Sequence, residues 1–236
     1  MVACGTSKIV DYKPGSVTID STLGDGGLDS MISPYRQSME AEMNEVIGHA
    51  SSTLEKYNPE SPLGNFAAEA AYLAGLKYGK SHSEIGEDAM MNSFTLLNFG
   101  GLRAPINQGD VTVGNIYELM PFDNMMVLVK ISGSKARVLA RYLFNKLGQP
   151  VYNAEFVLTP DAESMKIGGK EYNFDQDVVI VTTDYLAGGG DNMSFFDEPI
   201  GYWDSGIFLR DIFIEYVKDK KELGDYGLTG KIQLNH

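Results

Sequence analysis

Cysteine is nearly absent from this chain of 236 residues: Cys4 is the only one. One thiol cannot close an internal disulfide or build a cysteine zinc site. Histidine is almost as scarce, with His49, His82 and His236. No Ser-His-Asp order or Cys-His pair can be drawn from these residues. The run Gly188-Gly189-Gly190-Asp191 lacks the lysine of a phosphate loop. His49, in Ile-Gly-His-Ala, reads as structural. Positive charge is in deficit: 19 Lys and Arg stand against 32 Asp and Glu, a formal net charge of −13. A duplex nucleic acid needs a basic footprint, so DNA and RNA are poor partners. Electrostatic binding to anionic lipid is disfavoured for the same reason. A small anion is not, because one local arginine outweighs a distant acidic surface. No apolar run reaches the length that spans a bilayer.

What is present is an ordinary globular composition, 43% hydrophobic and 22% charged. Met31, Tyr35, Met39, Met43 and Val46 recur close to i, i+4, i+8. That spacing predicts an amphipathic helix over residues 28–46 whose apolar face packs in the core. A strand is expected at residues 16–21, and a strand or extended link at 47–54. Ser61-Pro62 reads as a helix start, with serine as N-cap and proline in the first turn. Phe66, Ala70, Leu73 and Leu76 form its inward face, and Gly79 is the expected stop. Residues 93–97 are uninterrupted by charge, as a central strand covered on both faces should be; 125–131 read as a strong strand and 178–183 as a second central one. Residues 113–120 read as a short helix or turn. A helix after Gly133-Ser134 places Val138, Leu139, Tyr142 and Leu143 inward. Residues 155–158 and 165–167 read as strands, the second leading into a hairpin turn at Gly168-Gly169. The last helix is expected over 207–221, with Ile207, Leu209, Ile212, Phe213 and Val217 inward. Lys218, Lys220 and Lys221 at its end suit the helix dipole.

Three strand ends carry unusual chemistry. Residues 98–103 are Asn-Phe-Gly-Gly-Leu-Arg: bare backbone, then one guanidinium suited to carboxylate or phosphate. Residues 120–124 are Met-Pro-Phe-Asp-Asn, an aromatic on a proline-stiffened turn. Residues 184–191 are Asp-Tyr-Leu-Ala-Gly-Gly-Gly-Asp, with a second aromatic and a carboxylate. Two rings on neighbouring loops can sandwich a planar base. Taken singly, each residue has a plainer reading. Phe122 after a proline is more often core, Asp191 after glycines more often forms a turn, and Arg103 alone more often faces solvent or a carboxylate.

Taken together, in this order and spacing, the three motifs resemble the C-terminal, substrate-binding domain of the 5'-nucleotidase family, which includes UDP-sugar hydrolases and cyclic phosphodiesterases. The resemblance covers residues 44–221, and Leu63-Gly64-Asn65 at the helix start also matches. It implies one α/β (α+β) domain at residues 29–236, after an N-terminal extension at 1–28. Its sheet would be mixed and layered with helices on both outer faces. By the same resemblance Phe122 and Tyr185 stack on a nucleobase; the second ring is usually phenylalanine in the family. Asn98 and Asn124 contact the base or sit beside it. Asp191 accepts hydrogen bonds from ribose hydroxyls, and Arg103 helps hold the substrate. Asn65 is expected to bind neighbouring backbone. One departure stands out. The family commonly carries an arginine shortly before the Gly-Asn helix start; here the segment is Tyr57-Asn58-Pro59-Glu60-Ser61, and the nearest cation is Lys56.

The family's metal-bearing half carries Asp-x-His, Gly-Asn-His and Gly-His-x-His motifs, and none of the three histidines lies in one. The expectation is a nucleoside- or nucleotide-recognition domain that is not catalytic alone and holds no cofactor. Divalent metal ions would belong to a separate metallophosphoesterase domain, either on a docking polypeptide or cut away from this one. Val2-Ala3-Cys4-Gly5 resembles the end of a bacterial lipoprotein signal without its apolar segment. It makes Cys4 a candidate lipidation site, implies a periplasmic or cell-surface location, and favours a separate catalytic polypeptide. The alternative is a non-catalytic, surface-anchored binding or scaffold protein on the same fold.

Overall fold

The structure, a computed structural model, describes residues 15–16 and 26–235. Cys4, His236 and all but the first residue of the strand expected at 16–21 lie outside them. Two compact units are distinguished, Met1–Ala41 and Glu42–His236.

The described elements begin with α1 (Gly26–Met43), β1 (Val46–Ala50), α2 (Pro62–Ser81), α3 (Glu87–Met91), β2 (Ser93–Leu96), β3 (Gly109–Thr112) and α4 (Val113–Leu119). They continue with β4 (Met125–Ile131), α5 (Gly133–Asn145), β5 (Val151–Tyr152), β6 (Ala154–Leu158), β7 (Glu163–Ile167), β8 (Lys170–Glu171) and β9 (Val178–Thr183). The last are α6 (Asp184–Ala187), β10 (Gly201–Phe208), α7 (Leu209–Lys220), β11 (Glu222–Leu223) and β12 (Ile232–Leu234).

A five-stranded mixed sheet, in the order β10-β4-β9-β2-β5, is the centre of the larger unit. Strands β2 and β9 run parallel, whereas β4 is antiparallel to both β9 and β10. Every residue of β2 and β9 is buried, which accounts for the absence of charged residues from both strands. Side chains alternate across a strand, so each central strand feeds two cores. Met126, Leu128, Val179 and Val181 join one apolar cluster with α2, α7 and the β11-β1-β3 sheet. Val127, Val129, Val178 and Ile180 join the other, with α5 and the β12-β6-β7-β8 sheet. The architecture is therefore the expected mixed α/β fold, a mixed sheet covered on both faces.

Helix α2 starts as expected: the Ser61 side chain accepts the Gly64 amide, and Pro62 sits in the first turn. Its contact with the sheet depends on Gly75, where a β-carbon would lie 2.5 Å from Val181 Cγ2.

Several local expectations are corrected. Helix α1 forms but buries none of its residues; Met31, Tyr35 and Met39 are exposed, and Val46 begins β1 instead. Strand β1 ends at Ala50, and Leu54 makes only an isolated bridge to Ile106. Gly79 does not stop α2; it is buried against Met90, and the cap is His82. Leu73 and Val138 face outward, because alanines and glycines at 67, 71 and 75, and Ala136 and Ala140 in α5, fill the inward faces. Ile207 is exposed in β10, and the last helix starts only at Leu209.

Candidate functional site

The parallel pair β2 and β9 both end at the same edge of the central sheet, and antiparallel β4 begins there. Two chain exits and one entry consequently meet at one place. The exit from β2 carries Asn98 to Arg103, the entry to β4 carries Phe122 and Asn124, and the exit from β9 carries Tyr185 and Asp191. Asn98, Gly100, Gly101, Arg103, Phe122, Asn124, Tyr185 and Asp191 line one cleft of about 330 Å³. All six candidate residues from distant parts of the sequence are thus neighbours.

The cleft has two apolar walls and a polar end. The rings of Phe122 and Tyr185 are partly open to solvent, 42% and 48% exposed. The Arg103 guanidinium lies 6.0 Å from the Phe122 centroid, and its Nη1 donates to Gly100 O at 3.3 Å. Asp191 is the carboxylate of the site. Its Oδ2 accepts from Asn98 Nδ2 at 2.6 Å, and its Oδ1 accepts from the Tyr185 hydroxyl at 3.2 Å. Each carboxylate oxygen has a second acceptor position, so both can still take a donor from a ligand. The Tyr142 hydroxyl donates to the Asp191 carbonyl. Burial, and then the nearby charge of Asp191, push the Tyr142 phenol up to about 12, so it stays a donor.

The backbone that presents these groups is held partly by the glycines and Asp184 of the motifs and partly by residues outside them. Asp191 and Asn192 both adopt positive φ after Gly189, which turns the carboxylate back toward Asn98. A β-carbon at Gly190 would fall 2.5 Å from the Tyr185 ring, so glycine lets the ring lie against the turn. A β-carbon at Gly101 would sit 2.9 Å from Asn98 Oδ1. The Phe99 amide donates to buried Gln149 Oε1 at 2.8 Å. Lys56 Nζ donates to Phe99 O at 3.0 Å and Leu102 O at 2.6 Å. It therefore grips the glycine turn rather than offering a free cation. Asp184 Oδ1 accepts from the amides of Met125 and Tyr185, tying two of the loops together. Gln149, Lys56 and Tyr142 belong to no motif, and only the strand-end position of Asp184 pointed toward the site.

The remaining candidates lie elsewhere. Asn65 Nδ2 donates to Glu60 Oε1 and to the Tyr226 and Gly227 carbonyls, the backbone role expected of it. His49 faces Asp110 on the surface, and His82 stacks on Tyr78. A larger cavity of about 490 Å³ is lined by Asn65, Glu69, Tyr152 and Lys231 among others. Lys231 Nζ there already donates to Asn65 Oδ1. Among the described residues no group of three or more His, Cys, Asp and Glu side chains is placed to hold a metal ion. In the cleft, Asp191 is the only carboxylate, its oxygens face donors, and a guanidinium stands nearby; that donor set does not fit a divalent cation.

Comparison with known proteins gives a consistent picture. The sequence profile described as "5'-nucleotidase, C-terminal domain" matches residues 45–198. The chain is 25% identical over 224 residues to Endonuclease YhcR of Bacillus subtilis, covering 89% of this chain and 17% of that protein. It is 23% identical over 227 residues to Protein UshA of Yersinia enterocolitica, covering 94% of this chain and 38% of that one. The chain thus spans a minor part of these curated relatives. Among solved structures, a 5'-nucleotidase precursor from Thermus thermophilus superposes with a TM-score of 0.71 at 22% identity, over 87% of this chain and 42% of the other. The NAD nucleotidase of Haemophilus influenzae gives 0.64 at 17% identity, over 90% and 42%.

Proposed function

The chain belongs to the family of 5'-nucleotidase C-terminal domains, and from that premise we propose that it is a substrate-recognition domain for a nucleoside or nucleotide. The observation that carries the reading is the convergence of Phe122, Tyr185, Asp191, Asn98, Asn124 and Arg103 on one cleft. A base enters between the two rings, where stacking contributes roughly 1–3 kcal/mol. Its edge meets the amides of Asn98 and Asn124. The free acceptor positions of Asp191 take the two neighbouring ribose hydroxyls, and Arg103 faces the anionic side. These contacts orient the ester and supply binding energy. Hydrolysis itself is assigned to a metallophosphoesterase domain outside this chain, and divalent ions belong there. Lipidation of Cys4 and a periplasmic or cell-surface location are part of the same proposal; mass spectrometry of native protein with Cys4 unmodified would remove them. Calorimetry with adenosine, AMP and a UDP-sugar tests the central reading. Saturable binding to at least one is the expected result, and no heat with any of the three would leave the scaffold alternative standing.

A further inference from the structure

Arg210 breaks several rules of its surroundings at once. It is the second residue of α7, where the helix dipole favours an acid over a cation. It is also only 8% exposed, although arginine is seldom buried without a partner. Its Nε is buried with no hydrogen-bond partner. Local violations of this kind need a compensating gain.

The gain is visible at the other end of the guanidinium. Arg210 Nη1 donates to Met120 O and to Phe122 O, both at 3.4 Å. Arg210 Nη2 donates to Asp123 Oδ1 at 2.8 Å. The guanidinium carbon lies 4.4 Å from the Tyr117 centroid, so the plane is fixed from behind by α4. The Leu209 amide donates to Asn124 O at 2.9 Å, adding a backbone tie from the start of α7. One side chain therefore holds Met120, Phe122 and Asp123, on both sides of Pro121 and at Phe122 itself. The ring itself is partly open to solvent, with the Arg103 guanidinium 6.0 Å from its centroid.

We propose that Arg210 is a positioning residue: it locks the Met120 to Asp123 turn so that the Phe122 ring stands ready as one wall of the cleft. The inference rests on the nucleoside-binding reading of that cleft. Lysine cannot replace it, because an ammonium lacks the planar fork that spans two carbonyls and a carboxylate while stacking on a ring.

The test is a double-mutant cycle on AMP binding by the full chain, with Arg210→Lys, Phe122→Ala and the pair, and with thermal unfolding followed for each. Coupled neighbours typically shift one another's effect several-fold. Arg210→Lys is expected to weaken binding about tenfold in the wild type and by less than about twofold once Phe122 is alanine. Backbone amide exchange at Met120 and at residues 122–124 of unliganded Arg210→Lys should be faster, with the body of α7 unchanged. Equal effects in both backgrounds would overturn the positioning role. If Arg210→Lys does not fold, Asp123→Ala takes its place, because that carboxylate is 77% exposed and its loss removes the shortest of the three contacts of the fork. Wild type that binds no nucleotide overturns the cleft reading and leaves Arg210 nothing to position. Wild type that binds, with an additive cycle, overturns the role of Arg210 alone.

Discussion

Truncating Phe122 separates binding from folding, and the structure sets both magnitudes. The ring is 42% exposed and meets Arg103 at 6.0 Å. Its removal therefore opens no core cavity, and Phe122→Ala should change stability by less than about 1 kcal/mol. If the ring stacks on a base, its loss should remove roughly 1–3 kcal/mol of binding. That corresponds to about 5- to 150-fold weaker affinity. Tyr185→Ala should do the same and in addition strip one donor from Asp191 Oδ1. Tyr185→Phe keeps the face and should fall between wild type and alanine. Isothermal titration with AMP, beside thermal unfolding of each variant, measures both quantities. Wild-type affinity in both alanine variants, with wild-type stability, would refute the stacking argument.

Three further predictions follow from other parts of the fold. Gly75→Ala drives a methyl to within 2.5 Å of fully buried Val181; despite alanine's better helix propensity, urea unfolding should register a loss of about 1–2 kcal/mol. No loss would mean that α2 and β9 pack more loosely than described. Glu60 links the start of α2 to the C-terminal segment, accepting the amides of Thr229, Gly230 and Lys231. Burial alone would raise its carboxyl pKa, but hydrogen bonds from Thr229, Asn65 and Lys231 and the charge of Lys231 outweigh it and hold it below the usual value. A depressed folded pKa stabilises the fold fully above the unfolded pKa, near 4.5, and the stabilisation is lost as pH falls through the folded value. Glu60→Gln should thus be less stable than wild type at neutral pH, with the gap closing in acid; a gap independent of pH would contradict the assignment. Finally, the purified chain should release no phosphate from AMP with added manganese or magnesium, and metal-dependent turnover would contradict the division of labour proposed here.

Much of this was legible in the sequence, and the exceptions have physical causes. Strands β4 and β9 were readable because burial on both faces concentrates β-branched and other apolar residues in Met125–Val129 and Val178–Val181. The start of α2 was readable because Ser61 and Pro62 act locally. Strand β10 was missed because it is an edge strand, mostly open to solvent, whose Gly-Tyr-Trp-Asp-Ser-Gly sequence carries little apolar signal. Short β3 was missed for a similar reason. In α1 the apolar spacing marks a helix face correctly, but periodicity does not say whether anything covers it. Gly79 misled because a glycine in a helix either ends it or admits a neighbour, and here it admits Met90. The cleft residues were legible through their motifs. Gln149, Lys56 and Arg210 were not, because they reach the cleft loops from more than 40 positions away in sequence.

The most direct test of the account is to locate a nucleotide on the folded chain. Titrating AMP into isotopically labelled protein and following backbone and aromatic NMR signals does so without assuming a site. The account predicts saturable shifts concentrated at Gly100, Gly101, Phe122, Asn124, Tyr185, Gly190 and Asp191. Shifts centred instead around Tyr152 and Lys231, or none at saturating AMP, would contradict it.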